Sequence, residues 1–129
     1  MLVVLGIHSI AGGFFKAVSD TLQFHYHGSV FNKEDMRQFW NPVVSWRNKY
    51  LHGMKEYGPK FWGSTTWFVW ITDGWHLFQS LGVLSWTISL IAICNIDLDW
   101  YWFIAIVSVF RLLRGATFQL FYNKILYKK

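Results

Sequence analysis

Residues 65–94 read TTWFVWITDGWHLFQSLGVLSWTISLIAIC, and Asp73 is the only residue of that run with a formal charge at neutral pH. One continuous helix over it would be about 45 Å long at ~1.5 Å per residue, against a bilayer hydrocarbon core of ~30 Å. The run is therefore expected to tilt, to kink or to begin outside the core, and Asp73-Gly74 is the expected kink. Two further apolar runs flank it. The first holds Val3, Val4, Leu5, Ile7, Ile10, Phe14 and Phe15; the other extends from Trp100 to about Tyr122, with Gly115 inside. The first run has no basic n-region and no small-residue cleavage site, so it is read as a retained helix rather than a removable signal.

Composition agrees with a membrane protein. The 129 residues are 53% hydrophobic and 21% aromatic but only 15% charged, where an ordinary soluble domain carries about 25% charged residues. The abundance of Phe, Trp, Leu and Ile excludes intrinsic disorder. The single Cys94 excludes an internal disulfide and any cysteine-rich zinc module. The expectation is thus an all-α, polytopic integral membrane protein forming one domain over 1–129. It comprises a first helix at 1–27, a surface segment at 28–63, a second helix at 64–94, a turn at 95–99, a third helix at 100–122 and a basic tail at 123–129.

Lys and Arg concentrate in the 28–63 segment and in the tail, and the 95–99 turn has none. Basic flanks resist translocation, so the N-terminus is placed outside and the 28–63 segment and C-terminus inside, in what is expected to be an inner (cytoplasmic) membrane. The cations flank apolar spans and so mark topology rather than a nucleic-acid surface. Trp62 and Trp67 fall at one boundary of the second span, with Trp86, Trp100 and Trp102 nearer the other. Within the 28–63 segment, Asn32 is expected to cap a short helix with Glu34 and Asp35 in its first turn, and Pro42 to stop it. The segment mixes Trp40, Trp46, Tyr50, Phe61 and Trp62 with its cations. It suits either interfacial anchoring or a cap over a polar site, with Trp40, Trp46, Arg47 and Lys49 as the lid.

Ionisable groups inside the spans are the strongest functional clue, because each costs at least ~2.5–3.5 kcal/mol at mid-bilayer. Lys16, Asp20, Gln23 and His27 recur at three- or four-residue spacing and share one helix face. Asp73, His76 and Ser80 repeat the pattern, and Arg111 and Arg114 stand at i, i+3. By the rise of an ideal helix, Asp20, Asp73 and Arg114 each lie roughly 10–12 Å from the inner boundary and are expected to meet in one layer. Three accounts of this layer compete. The carboxylates pair with the arginines and glue the helices; or Asp20, His27, Asp73 and His76 act as catalytic groups or as ligands of a divalent metal ion; or the layer lines an ion path in a homo-oligomer. A metal is not specifically signalled, since no HExxH or HxxxH is present and His25-Tyr-His27 places its rings about 200° apart on a helix. The remaining cofactor requirement is unknown. His8 and His52 are left out of the site.

The runs Ser19-Asp-Thr-Leu-Gln-Phe-His25, Phe39-Trp-Asn-Pro-Val-Val-Ser-Trp-Arg-Asn-Lys-Tyr50, Gly58-Pro-Lys-Phe-Trp-Gly-Ser-Thr-Thr66 and Thr72-Asp-Gly-Trp-His-Leu-Phe-Gln79 resemble a family of small membrane proteins from Bacteroidota and their phages. The resemblance covers about residues 15–80 and implies that the polar segment and the two Asp-bearing helix ends form one recurring unit; it brings no activity with it. The functional expectation is a small membrane protein that binds or acts on a lipid or lipid-phosphate head group. In it Gln23, Arg47, Lys49, Arg111 and Arg114 hold the substrate, and Asp20, His27, Asp73 and His76 form the reactive or metal-binding set. The competing expectation is a non-enzymatic oligomeric channel or a phage-type membrane modulator.

Overall fold

The computed structural model describes residues 1–33 and 37–127. Its frame is three long helices, and no strand occurs among the described residues. Helix α1 spans Leu2–Phe24; the short α2 spans Arg37–Trp40; α3 spans Gly74–Cys94; α4 spans Trp100–Leu120 and continues into a π-helical turn over Phe121–Leu126. All three long helices are long and apolar enough to cross a membrane. Their outer surfaces carry Val3, Ile7, Val83, Leu84, Ile91, Val109 and Leu112 exposed, a contiguous apolar coat that water would penalise and lipid does not. The chain is an all-α integral membrane protein in contact with lipid.

Helix α1 is the centre of the bundle. It runs antiparallel to α3, so that Leu22 lies beside Gly74, His8 beside Ser85, and Leu5 beside Ala92 and Ile93. It runs parallel to α4, with Gly6 facing Phe110 and Gly13 facing Thr117. Small residues on α1 decide how close α4 comes. A Cβ added at Gly13 would lie 2.5 Å from the Arg114 carbonyl oxygen and 2.9 Å from Thr117 Cβ, so only glycine admits this backbone approach.

Two apolar clusters close the ends of the bundle. Ala17, Val18, Leu22, Tyr26 and Leu126 form one, with Phe14, Phe78 and Phe118 packed on it. Leu5, Ala92 and Ile93 form the other, with Ile106, Val107 and Phe110. Between them lies a layer containing glycine, serine and arginine, and α1 is the partner that both α3 and α4 share.

The second span differs from expectation. Residues 64–72 are turns and a 3-10 turn at Val69–Ile71, and α3 starts only at Gly74. The reason is local: Asp73 is extended (φ −153°, ψ 161°) and its side chain accepts from His76 N, which makes it the N-cap. In place of the expected kink stands a helix start, and α3 at 21 residues is then about 31 Å long, a match to the hydrocarbon core without a bend. The surface segment correspondingly reaches residue 72. Within it α2 ends before Pro42, as expected, and Asn41 Oδ1 accepts from Val43 N to turn the chain. The Asn32-capped first turn with Glu34 and Asp35 lies outside the described residues; the Asn32 side-chain amide donates to the His27 carbonyl oxygen at 3.0 Å.

The C-terminal turn returns to the surface segment. Ser29 and Tyr127 form an antiparallel bridge, and Val30 N donates to the Leu126 carbonyl at 3.0 Å. Both elements therefore emerge at one end of the bundle. In a Cys94→Ser background, Tyr50→Cys and Tyr127→Cys are expected to react with a membrane-impermeant maleimide from the same side. Labelling from opposite sides would contradict the three-span arrangement.

Candidate functional site

Asp73 and His76 form a compact pair at the start of α3. One Asp73 carboxylate oxygen accepts from the His76 backbone at 2.9 Å, and the other lies 2.7 Å from His76 Nδ1. Asp73 is only 2% exposed, so both oxygens are used within one helical turn. Gly74 lets Trp40 lie across this turn, since a Cβ there would come 2.5 Å from the indole Cε3. Trp40 in turn stacks on Phe31 at 4.8 Å between ring centres. Of the expected lid, Trp40 covers the head of α3. Arg47 lies in a separate cleft of the surface segment, and the Lys49 carbonyl ties that segment together by accepting from Ser64 Oγ at 2.7 Å.

The expected layer of opposite charges does not form. Asp20 pairs with Lys16 at 2.6 Å, one turn away on α1. Asp73 pairs with His76. Among the described residues neither carboxylate makes an ion pair with Arg111 or Arg114. The depth argument fails because residues 65–72 are not helical: Asp73 stands at the mouth of its span while Arg114 stands well inside its own.

The four residues expected to hold a metal do not converge either: Asp73 and His76 are paired, but Asp20 is paired with Lys16 and His27 is elsewhere. No group of three or more His, Cys, Asp or Glu suited to a metal ion occurs among the described residues. His27 lies beyond the end of α1, exposed, in the 3-10 turn Tyr26–Gly28. Gln23 accepts a hydrogen bond from Trp75 Nε1 at 3.3 Å and so joins α1 to α3. Nearby, burial pushes the Tyr26 phenol above its ordinary pKa, with the charge of Arg37 opposing.

The arginines of α4 meet at a residue outside the expected site. Arg114 Cζ lies 5.1 Å and Arg111 Cζ 6.0 Å from the centre of the Trp86 ring. Trp86 is about 18 Å from the start of α3, near its middle, so it is not the boundary tryptophan its place in the sequence suggests. The ring face supplies the negative quadrupole that a guanidinium prefers. Arg114 also nests against α1, where a Cβ at Gly12 would overlap Arg114 Nη1. Among the described residues neither guanidinium has a salt-bridge or hydrogen-bond partner.

Three hollows meet at these side chains. One of about 340 Å³ is lined by Lys16, Trp86, Arg111, Arg114 and Gln119. A second of about 190 Å³ adds Gln79 and Gly82. The third, about 160 Å³, is apolar and runs from the two arginines past Leu90, Ile93, Phe103 and Val107 toward the end of the bundle that holds the 95–99 turn. Together they form a groove between α3 and α4 with three cations in its middle and an apolar extension at one end. No protein-family model, curated protein or solved structure matches this chain.

Lys16 is visible in the sequence as a member of the polar stripe of α1. Trp86 carries the weaker signal: an indole in the middle of an apolar span, one level with two arginines on a neighbouring span. That level can be read only once the helix pairing is known.

The Asp73 cap carries its own prediction. Asp73→Ala is expected to lower stability by about 1–2 kcal/mol, as the loss of an N-cap does, measured by thermal unfolding in detergent. Because no arginine shares the pair, the loss caused by Asp73→Ala should be the same with and without Arg111→Gln. Rescue by Arg111→Gln would show a hidden contact.

Proposed function

We propose that this protein binds an anionic lipid through its phosphate, in the groove between α3 and α4, and that it resides in the cytoplasmic membrane of a bacterium. The observation that carries the reading is the pair of guanidinium groups on Trp86, midway along the spans, with Arg114 half-buried, Arg111 on the bundle's outer surface and neither in an ion pair among the described residues. Each costs at least ~2.5 kcal/mol there, and each offers planar donors that match phosphate oxygens. Lys16 adds a third cation even after its pairing with Asp20. The apolar hollow beside the arginines is the place for an acyl chain. The basic flanks support a cytoplasmic orientation of the groove's polar end, and the resemblance to membrane proteins of Bacteroidota and their phages supports a bacterial membrane.

Native mass spectrometry of the detergent-purified protein tests this, with phosphatidylglycerol and phosphatidylcholine added separately. Selective retention of phosphatidylglycerol is expected; equal retention of the two lipids, or of neither, overturns the reading. A second reading, a self-associated channel, is favoured by α4 itself, of which only Thr117 is buried. It requires a ring-shaped oligomer in the same spectra, with anion conductance in planar bilayers.

A further inference from the structure

We propose that the surface segment holds a second anion site, in which the closed loop 45–60 takes the phosphate of an anionic glycerophospholipid from the membrane surface. The cleft in this loop has a volume of about 920 Å³, room for a whole head group rather than a bare phosphate. Trp46 lines it with two cations over its ring: Arg47 Cζ is 5.7 Å and Lys55 Nζ 5.3 Å from the ring centre. His52 and Lys60 complete the basic lining, and Glu56 is the lining's acid. Among the described residues Glu56 forms no salt bridge, and Arg47 and Lys55 stand on an aromatic face.

The loop is built, not loose. Tyr50 and Pro59 form an antiparallel bridge, Leu51 N donates to the Gly58 carbonyl at 3.0 Å, and Lys60 N donates to the Lys49 carbonyl at 2.9 Å. The Gln38 amide donates to Asn48 Oδ1 at 2.8 Å and pins the loop to α2. At the tip His52 is left-handed at φ 54°, followed by Gly53 at φ 73°. A non-glycine residue held there is strained, and such strain clusters at binding sites. Gly53 brings the tip against the stem of Arg47, where a Cβ would be 3.4 Å from Arg47 Cβ.

The same loop shows why the phosphate comes on a lipid. Leu51 and Met54 line the cleft and are exposed, as are Tyr57 in the loop and Phe61 and Trp62 just after it. Apolar and aromatic side chains interspersed with cations lie in the head-group layer, where each Lys or Arg gains from the anionic surface. The site is independent of the groove between α3 and α4 and would stand if that groove bound nothing.

The full-length protein in detergent, titrated with phosphatidylglycerol and followed by native mass spectrometry, tests the proposal. Wild type is expected to retain two lipids. Arg47→Gln/Lys55→Gln should lose one of them, each removed charge weakening it about fivefold. Arg111→Gln/Arg114→Gln should lose the other. Because Arg47 also packs on Gly53, Lys55→Gln/Lys60→Gln serves as a second variant that leaves Arg47 in place. Glycerol 3-phosphate at millimolar concentration should displace only the loop-held lipid. Unchanged lipid counts in both loop variants overturn the site. Binding of glycerol 3-phosphate as tight as that of the lipid overturns the lipid as its source.

Discussion

The double variant Arg111→Gln/Arg114→Gln is expected to lose phosphatidylglycerol from the groove while inserting into the membrane better than the natural sequence. A hydrogen bond to a charged group contributes about 1.5–3 kcal/mol, so each arginine should account for roughly a 10- to 150-fold weakening of lipid affinity. Removing the same two charges from a span relieves about 2.5–3.5 kcal/mol of insertion free energy for each. The opposite signs separate a binding site from helix glue. If the arginines hold the bundle together, the variant should unfold at lower temperature and retain no advantage in insertion. Lipid affinity by native mass spectrometry and insertion efficiency in a glycosylation-reporter assay read the two effects independently. Gly12→Ala is the subtler companion. Its new methyl group takes the space of the Arg114 guanidinium, the far end of a flexible side chain, so affinity should fall with little change in stability.

The second large effect is expected one residue further on. Gly13→Val should destabilise the bundle by at least the ~1–3 kcal/mol typical of overpacking, because the atoms in its way are backbone. A Cβ there stands 2.5 Å from the Arg114 carbonyl and 3.2 Å from Phe118 N, and relief requires the whole of α4 to move. Gly115→Ala is the control, since nothing lies within 4 Å of its added Cβ. It should match or slightly exceed wild type, as alanine is the better helix former by about 1 kcal/mol. Thermal unfolding in a fixed detergent compares the three proteins, and equal melting of Gly13→Val and wild type would refute the close contact of α1 and α4.

The three spans are legible in the sequence because an apolar run as long as the bilayer is thick finds too little protein surface to bury it in a chain of this size. The start of the second is not, because hydropathy continues smoothly through Thr65–Thr72 while the backbone there turns. What ends the smoothness is chemical rather than hydropathic: the Asp73 carboxylate caps the amide three residues ahead, a signal present in Asp-Gly-Trp-His but outweighed by the apolar run around it. Reading helix through that stretch carries Asp73 into the depth of the membrane and produces the expected union of Asp20, Asp73 and Arg114. The arginines themselves are legible as charged groups inside a span. Their true partner is not, since a tryptophan in an apolar span reads as ordinary lipid-facing surface until the register of α3 against α4 is known. His27 shares a face with Lys16, Asp20 and Gln23 only if the first helix continues to it, and α1 ends at Phe24, before His27 is reached.

The central place of α1 sets an order of events during synthesis. It leaves the ribosome ahead of α3 and α4, yet it is the helix that both later spans need, and α4, made after them, carries the two arginines that a translocon accepts least willingly. By the time α4 emerges, the Gly12 niche and the Trp86 ring are already in the membrane as a paired α1 and α3. The final span is thus delivered to a receptor the rest of the chain has assembled. Translocation of α4 should therefore depend on the helices before it, and α4 fused alone behind a neutral carrier should stall where the intact chain passes.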